Sequence, residues 1–301
     1  MPTDLLYQSL KTYFDNGGGR CYLTGVEQLE KLVPSLDDIT LMVQAGSSLD
    51  NFKSAVAKLC KPGATYFALY DGPQTEMSGT KEVSDATKNY DTNPYAAVYY
   101  PWLKTDQVTD IPPSAAVAGV YCAVDRQRGV WKAPANVELK GGVTPKYKIS
   151  DMVNGECNVP TEGGKSINVI REFRGTGPLI WGARTLESNK DTWRYVPVRR
   201  LFNAAEKDIR HAMSIALFEP NSHPTWERTR SAIDIYLYGL WQQGALLGST
   251  PEEAYFVQIG KGVTMTETDI KQGKMIVRVG LAAVRPAEFI ILQLTQDVVP
   301  A

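Results

Sequence analysis

Two histidines, four cysteines, a Gly-Gly-Lys-Ser run and two adjacent carboxylate pairs are the residues whose types and spacing could support chemistry. Gly163-Gly164-Lys165-Ser166 has the ending of a phosphate-binding loop, in which backbone N–H groups and a lysine cradle phosphate at a helix N-terminus. The spacing excludes that reading. Val159 stands where the loop needs its first glycine, Pro160 precedes the run, and the β-like segment Ile167 to Phe173 follows instead of a helix. Nucleophilic catalysis needs a base beside a nucleophile, and only His211 and His223 are available. His211 sits on one predicted helix, next to Ala212 of its apolar stripe, and His223 at the start of the next, so both read as structural. No Gly-x-Ser-x-Gly elbow occurs. Asp37-Asp38 and Glu252-Glu253 match helix-start or loop positions, where acidic residues favour the macrodipole, and no Asp-rich calcium loop is present. Cys21, Cys60, Cys122 and Cys157 are far apart without a Cys-x-x-Cys pair, which predicts reduced, mostly buried thiols and neither a zinc site nor a disulfide framework. The expectation is a protein that is not an enzyme, with no catalytic residue, metal or cofactor.

The elements around these residues predict two domains. The chain has 301 residues, 43% hydrophobic and 22% charged, enough for two separate cores. A formal charge of -1 and the lack of a Lys/Arg run argue against nucleic acid. No apolar stretch is long enough to span a bilayer, and Met1-Pro2-Thr3-Asp4 lacks the order of a signal peptide, so the chain is expected to fold in the cytoplasm.

Over the first hundred residues, apolar periods alternate between helical and near-continuous, which predicts a doubly wound parallel sheet with crossover helices. The expected elements are a helix at Asp4 to Phe14 stopped by Gly17 to Gly19, a strand at Arg20 to Thr24, and a short helix at Val26 to Leu32. The strand Asp38 to Val43, the helix Leu49 to Leu59, and the strands Thr65 to Tyr70 and Tyr95 to Tyr100 complete this part. A small-residue helix from Ser114 to Arg128 leads into a Gly, Pro and Lys-rich loop reaching about Gly164, then a strand at Ile167 to Phe173 and the segment Leu179 to Thr185. The polar stretch Leu186 to Thr192 marks the predicted boundary, giving domains 1–188 and 189–301.

The second domain is predicted as α+β. Val198, Leu201, Phe202, Ala205, Ile209, Ala212, Met213 and Ala216 form one stripe after Pro197, and Trp226, Ile233, Tyr236, Leu237, Leu240 and Trp241 form the next, ending at Gly244. Two such helices should pack as a hairpin. Strands follow at Ala254 to Ile259, Lys274 to Val279 and Ala287 to Leu294. The last is a near-continuous apolar run close to the chain end, which either completes its own sheet or pairs with another copy.

Several ordered motifs resemble the contractile tail sheath family. They are Gly129-Val130-Trp131-Lys132-Ala133-Pro134-Ala135-Asn136, Ile167-Asn168-Val169-Ile170-Arg171, Trp181-Gly182-Ala183-Arg184-Thr185-Leu186, and Tyr195-Val196-Pro197-Val198-Arg199-Arg200-Leu201-Phe202-Asn203. Phe218-Glu219-Pro220-Asn221, Gly244-Ala245-Leu246-Leu247-Gly248, Pro251-Glu252-Glu253-Ala254-Tyr255 and Arg285-Pro286-Ala287-Glu288-Phe289-Ile290 continue the series, over roughly residues 110 to 295. The resemblance covers the sheaths of phage tails and of phage-tail-like extracellular injection particles.

It implies a subtilisin-like but non-catalytic outer domain, because no histidine precedes Leu186, followed by a smaller α+β inner domain. It implies a structural subunit in stacked hexameric rings around an inner tube, with baseplate and cap proteins as further partners, whose contraction drives the tube through a target envelope. Such a chain would be assembled in the bacterial cytoplasm into a phage tail or a released particle. An inter-subunit strand or arm would comprise Ala287, Glu288, Phe289, Ile290, Ile291, Leu292, Gln293, Leu294 and Thr295. Glu206, Lys207, Arg210, Glu227, Arg228 and Arg230 are the candidate tube-facing charges. Family members carry an N-terminal segment with an arm ahead of the helix that starts here at Asp4. The missing counterpart predicts a monomer or weak oligomer for the isolated chain. A non-contractile shell or adaptor of the same fold, and a hydrolase using the outer sheet, are the competing readings.

Overall fold

The computed structural model describes residues 4–158 and 165–288. In chain order the elements are α1 (Leu5–Asp15), α2 (Leu29–Leu32), β1 (Leu41–Val43), α3 (Leu49–Leu59), β2 (Phe67–Asp71), α4 (Thr80–Lys88), β3 (Ala96–Tyr100) and β4 (Leu103–Lys104). Then come α5 (Pro113–Arg128), β5 (Val137–Glu138), β6 (Thr144–Pro145), α6 (Asp151–Asn158), β7 (Ile167–Glu172) and β8 (Pro178–Trp181). The rest comprises α7 (Val196–Met213), α8 (His223–Gln242), α9 (Pro251–Ala254), β9 (Tyr255–Gln258), α10 (Glu267–Lys271) and β10 (Arg278–Leu281).

The main sheet has six strands in the order β1-β2-β3-β7-β8-β5. The first four run parallel, while β8 and β5 add an antiparallel edge. Every residue of β2 and β3 is buried, as a parallel strand covered on both faces requires. Alternate residues serve opposite cores. Ala68, Tyr70, Ala96, Val98 and Tyr100 meet Phe52 and Val56 of α3, Val83 of α4 and Val153 of α6. Phe67, Leu69, Ala97 and Tyr99 meet Val117, Val120, Tyr121 and Val124 of α5. The fold is therefore α/β with helices on both faces, as the periodicity implies.

Local signals explain the helix limits. Asp4 caps α1 by accepting the Leu6 N–H at 3.1 Å, and Gly17 ends it at φ +90°. Pro113 opens α5, and Gly129, also at φ +90°, closes it. A Cβ at Gly119 would lie 2.3 Å from the Tyr13 carbonyl oxygen, so α1 and α5 approach at a distance only glycine allows. In the last third, Leu201 of α7 packs with Ile233, Leu237 and Leu240 of α8 and with Ala254 and Tyr255, over the antiparallel pair β9–β10.

Three expectations are corrected. Arg20 to Thr24 forms no strand. Tyr22 and Leu23 are 39% and 59% exposed, and among the described residues no neighbouring strand pairs with them. The region predicted as loop before Gly164 contains α6, and periodicity does not foresee α4 either, because few of its residues are apolar. At the C-terminal end, Ala287 and Glu288 are not in a strand, since regular pairing ends earlier. Phe289 to Thr295 lie outside the described residues.

Candidate assembly site

The fold disperses the residues that could have suggested catalysis. His211 and His223 are exposed on separate helices, and the His223 ring lies 6.3 Å from that of Trp226. Lys165 donates to the Tyr90 carbonyl at 2.7 Å, and Ser166 to the Asn158 carbonyl at 2.6 Å, while β7 starts at Ile167. Gly163 and Gly164 lie outside the described residues. Asp38 accepts from Tyr22, and Glu253 accepts the Ser249 N–H, so each carboxylate ties down its own loop. Cys60 and Cys157 are buried, and burial pushes both thiols up to about 12. Cys122 is half-buried, and Cys21 is the exposed exception to the expectation of mostly buried thiols. Among the described residues no group of three His, Cys, Asp or Glu side chains could hold a metal.

The buried charges gather where the last third meets the main sheet. Arg200, in the first turns of α7, grips Asp125 of α5 through two bonds of 2.9 and 2.5 Å. Its guanidinium lies 4.8 Å from the Tyr121 ring, whose hydroxyl meets that of Tyr99 at 2.7 Å. Arg199 is packed among Trp193, Tyr95 and Phe202, at 4.0, 4.6 and 5.8 Å from their ring centres, and donates to Asn203 at 2.9 Å. Burial lowers the Arg199 pKa. Asn203 donates in turn to the Tyr66 carbonyl at 3.3 Å. The start of α7 is thus seated in the main core while its continuation carries the second cluster.

The polar stretch around Leu186 to Thr192 is held in place as well. Thr185 N–H donates to the Arg194 carbonyl at 2.9 Å, and Val196 N–H to Ala183 at 2.9 Å, so the segment forms a pinned loop. Arg184 at its base binds both carboxylate oxygens of Glu288, at 2.8 and 2.6 Å, and the Tyr195 hydroxyl donates to Glu288 at 2.9 Å. Burial, then the bond to Glu288, raise the Tyr195 pKa. Arg184 also donates to the Asn158 carbonyl at 2.8 Å.

The candidate tube-facing charges form local pairs. Glu206 and Arg210 are bonded at 2.5 Å, Glu227 pairs with Arg230, and Arg228 lies 3.5 Å from Glu219. Lys207 donates to the Asp37 carbonyl, which directs it toward the main-sheet lobe.

Two family descriptions match the chain. Residues 20–186 match the phage tail sheath protein central domain, and residues 188–297 match the phage tail sheath C-terminal domain. The chain belongs to the phage tail sheath protein family. This sheath chain is 59% identical to a chain of the contracted sheath complex of an extracellular contractile injection system, PVC, covering 99% of this chain and 82% of that one at a TM-score of 0.93. It is 44% identical to a chain of the contracted helical sheath of the anti-feeding prophage, covering 96% and 81% at a TM-score of 0.82. A tail sheath protein of Vibrio phage KVP40 is 26% identical over 171 residues, 56% of this chain and 24% of that protein. A putative prophage major tail sheath protein of Pseudomonas aeruginosa is 29% identical over 92 residues, 31% of this chain and 23% of that protein. The matched regions span about a quarter of these curated relatives.

Sequence reasoning missed the buried ion pairs of this sheath chain. Two signals pointed toward them. Arg199 and Arg200 lie in the first turns of a helix, where the macrodipole disfavours cations, and Glu288 interrupts an apolar run. Each needs a compensating partner elsewhere in the fold.

Proposed function

We propose that this chain is the structural subunit of a contractile sheath, stacked in hexameric rings around an inner tube. Its contraction drives the tube through a target envelope. Residues 1–188 form the outer, subtilisin-like but non-catalytic domain, and residues 189–301 form the C-terminal domain. The inner tube protein, baseplate and cap are its partners, and the subunit is assembled in the bacterial cytoplasm into a phage tail or a released particle. Residues Ala287 to Thr295 supply the inter-subunit arm, while Glu206, Arg210, Glu227, Arg228 and Arg230 present charge toward the tube.

One observation carries this reading: likeness to the contracted PVC sheath at 59% identity over 99% of the chain. Sheath contraction asks each subunit to change neighbours while keeping its own shape. The buried Arg200–Asp125 and Arg184–Glu288 pairs suit that demand, because each ties the last third to the main sheet. Cryo-electron microscopy of the parent particle tests it. Two lattices containing this chain, one long and narrow and one short and wide, are expected. A single ring of fixed geometry would instead identify a non-contractile adaptor.

A further inference from the structure

Backbone pairing of the last described strand ends before the chain does. The β10 ladder closes at Leu281 opposite Tyr255, and then Ala282 N–H donates to Ala254 at 2.8 Å and Val284 N–H to Ala245 at 3.2 Å. Arg285, Pro286 and Ala287 follow, and Pro286 has no N–H to give. Glu288, four residues beyond Val284, can lie up to about 13 Å away along an extended chain. There a side-chain clamp takes over from the ladder. The Glu288 carboxylate receives two bonds from Arg184 and one from Tyr195, and the Arg184 and Glu288 side chains are 6% and 16% exposed.

The clamp continues inward. The Arg184 backbone is held on both sides by Asn168 of β7, its N–H donating to Oδ1 at 2.7 Å and its carbonyl accepting from Nδ2 at 2.9 Å. The same Nδ2 donates to the Val98 carbonyl of β3 at 3.1 Å. Gly182, where a Cβ would lie 2.8 Å from Asn168 Oδ1, leaves room for this amide. Asn168 is fully buried. A continuous polar path therefore runs from Glu288 through Arg184 and Asn168 to the centre of the main sheet.

We infer that Arg184, Tyr195 and Asn168 anchor the root of the C-terminal segment, so that a second copy holding residues after Glu288 pulls on the main sheet rather than on β10. This role rests on the proposed exchange of terminal segments between sheath copies. It gives residues outside that segment the task of bearing its tension. Without the clamp, tension after residue 288 falls on the single bridge of Ala283 to Leu246 with its flanking backbone bonds, and then on a two-stranded ladder of four residue pairs, which unzips from its end. With it, tension is delivered across β7 and β3, inside a six-stranded sheet covered on both faces.

Deuterium exchange on the isolated full chain tests the anchor without requiring a sheath. Glu288→Gln should speed exchange about ten-fold in peptides covering residues 278–288, and Tyr195→Phe about three-fold, with β3 and α5 unchanged. The Arg184→Gln/Glu288→Gln double variant should be no faster than the faster single variant, as members of one network behave. Unchanged exchange at 278–288 in both Glu288→Gln and Tyr195→Phe overturns the inference. If Arg184→Gln also loosens β3 and β7, the outcome is read from Glu288→Gln and Tyr195→Phe alone. In the parent particle, Glu288→Gln sheaths should assemble but fragment between rings on contraction, and sheaths that contract unbroken overturn the load-transfer role. A wild-type particle without two lattices would refute the sheath reading and leave the exchange result standing.

Discussion

Truncating Asp125 should cost far more than removing its partner Arg200, although the same ion pair is lost. The Arg200 side chain is 6% exposed and the Asp125 side chain 29%. Asp125→Ala leaves a guanidinium in a site water barely reaches, near the N-terminal end of α7, whose dipole already disfavours a cation. A buried charge stripped of its partner costs about 3–5 kcal/mol, and the Tyr121 ring, 4.8 Å away, returns about 1 kcal/mol of that, leaving about 3 kcal/mol. Arg200→Met removes the buried cation, fills similar volume, and leaves a carboxylate that water can solvate, at a cost of about 1 kcal/mol. Urea unfolding followed by Trp fluorescence measures both. With a slope of about 3 kcal/mol/M, the midpoint should fall by about 1 M for Asp125→Ala and about 0.3 M for Arg200→Met. The double variant should resemble Arg200→Met, so that removing the cation rescues the loss of the anion. Equal shifts for the two single variants, or an additive double, would refute the view that desolvation of Arg200 dominates this junction.

Gly119→Ala should destabilise the chain by about 1–3 kcal/mol, since the new Cβ meets the Tyr13 carbonyl at 2.3 Å and Asn16 Cβ at 2.9 Å, and thermal unfolding reads the loss. Thiol labelling at pH 8 should modify the exposed Cys21 first, with Cys60 and Cys157 reacting only after denaturation, and mass mapping of the labelled peptides would expose the reverse order. The same two buried thiols predict an alkaline loss of stability. Their folded pKa of about 12 lies above the ordinary thiol value of 9.0, so the protonated fold keeps its full advantage below about pH 9 and loses it as pH rises toward 12. A Cys60→Ala/Cys157→Ala variant should show a shallower decline of unfolding midpoint over that range. Phe218, fully exposed at φ +66°, is in a backbone region costly for a bulky residue, and Phe218→Gly should raise the unfolding midpoint by the equivalent of about 1 kcal/mol.

What could be read in the sequence follows the range of the forces involved. The helix near Leu49 to Leu59 is legible because Phe52, Ala55, Val56 and Leu59 repeat at helical spacing and point to one core. β2 and β3 are legible because burial on both faces demands an unbroken apolar run. α4 escapes this logic, since only Val83, Ala86 and Thr87 of its residues are buried and the rest reads as polar loop. Arg20 to Thr24 fails in the opposite sense. A locally apolar run becomes a strand only if a neighbour pairs with it, and that information is not contained in the run. The same argument applies more strongly to the assembly site. Arg200 and Asp125 are 75 positions apart, and Arg184 and Glu288 are 104 apart, so no window could reveal either pair. One half of each pair leaves a local anomaly: Arg200 is a cation in the first turns of a helix, and Glu288 is a carboxylate in an apolar run. Such an anomaly costs several kcal/mol unless the fold supplies a partner. If the chain is the contractile subunit proposed above, those partners must be internal, because contacts with other copies that change on contraction cannot compensate a buried charge in both lattices. The two ion pairs join the last third to the main sheet and to α5 packed on it, which is where the rigid-body movement proposed above would have to resist shear.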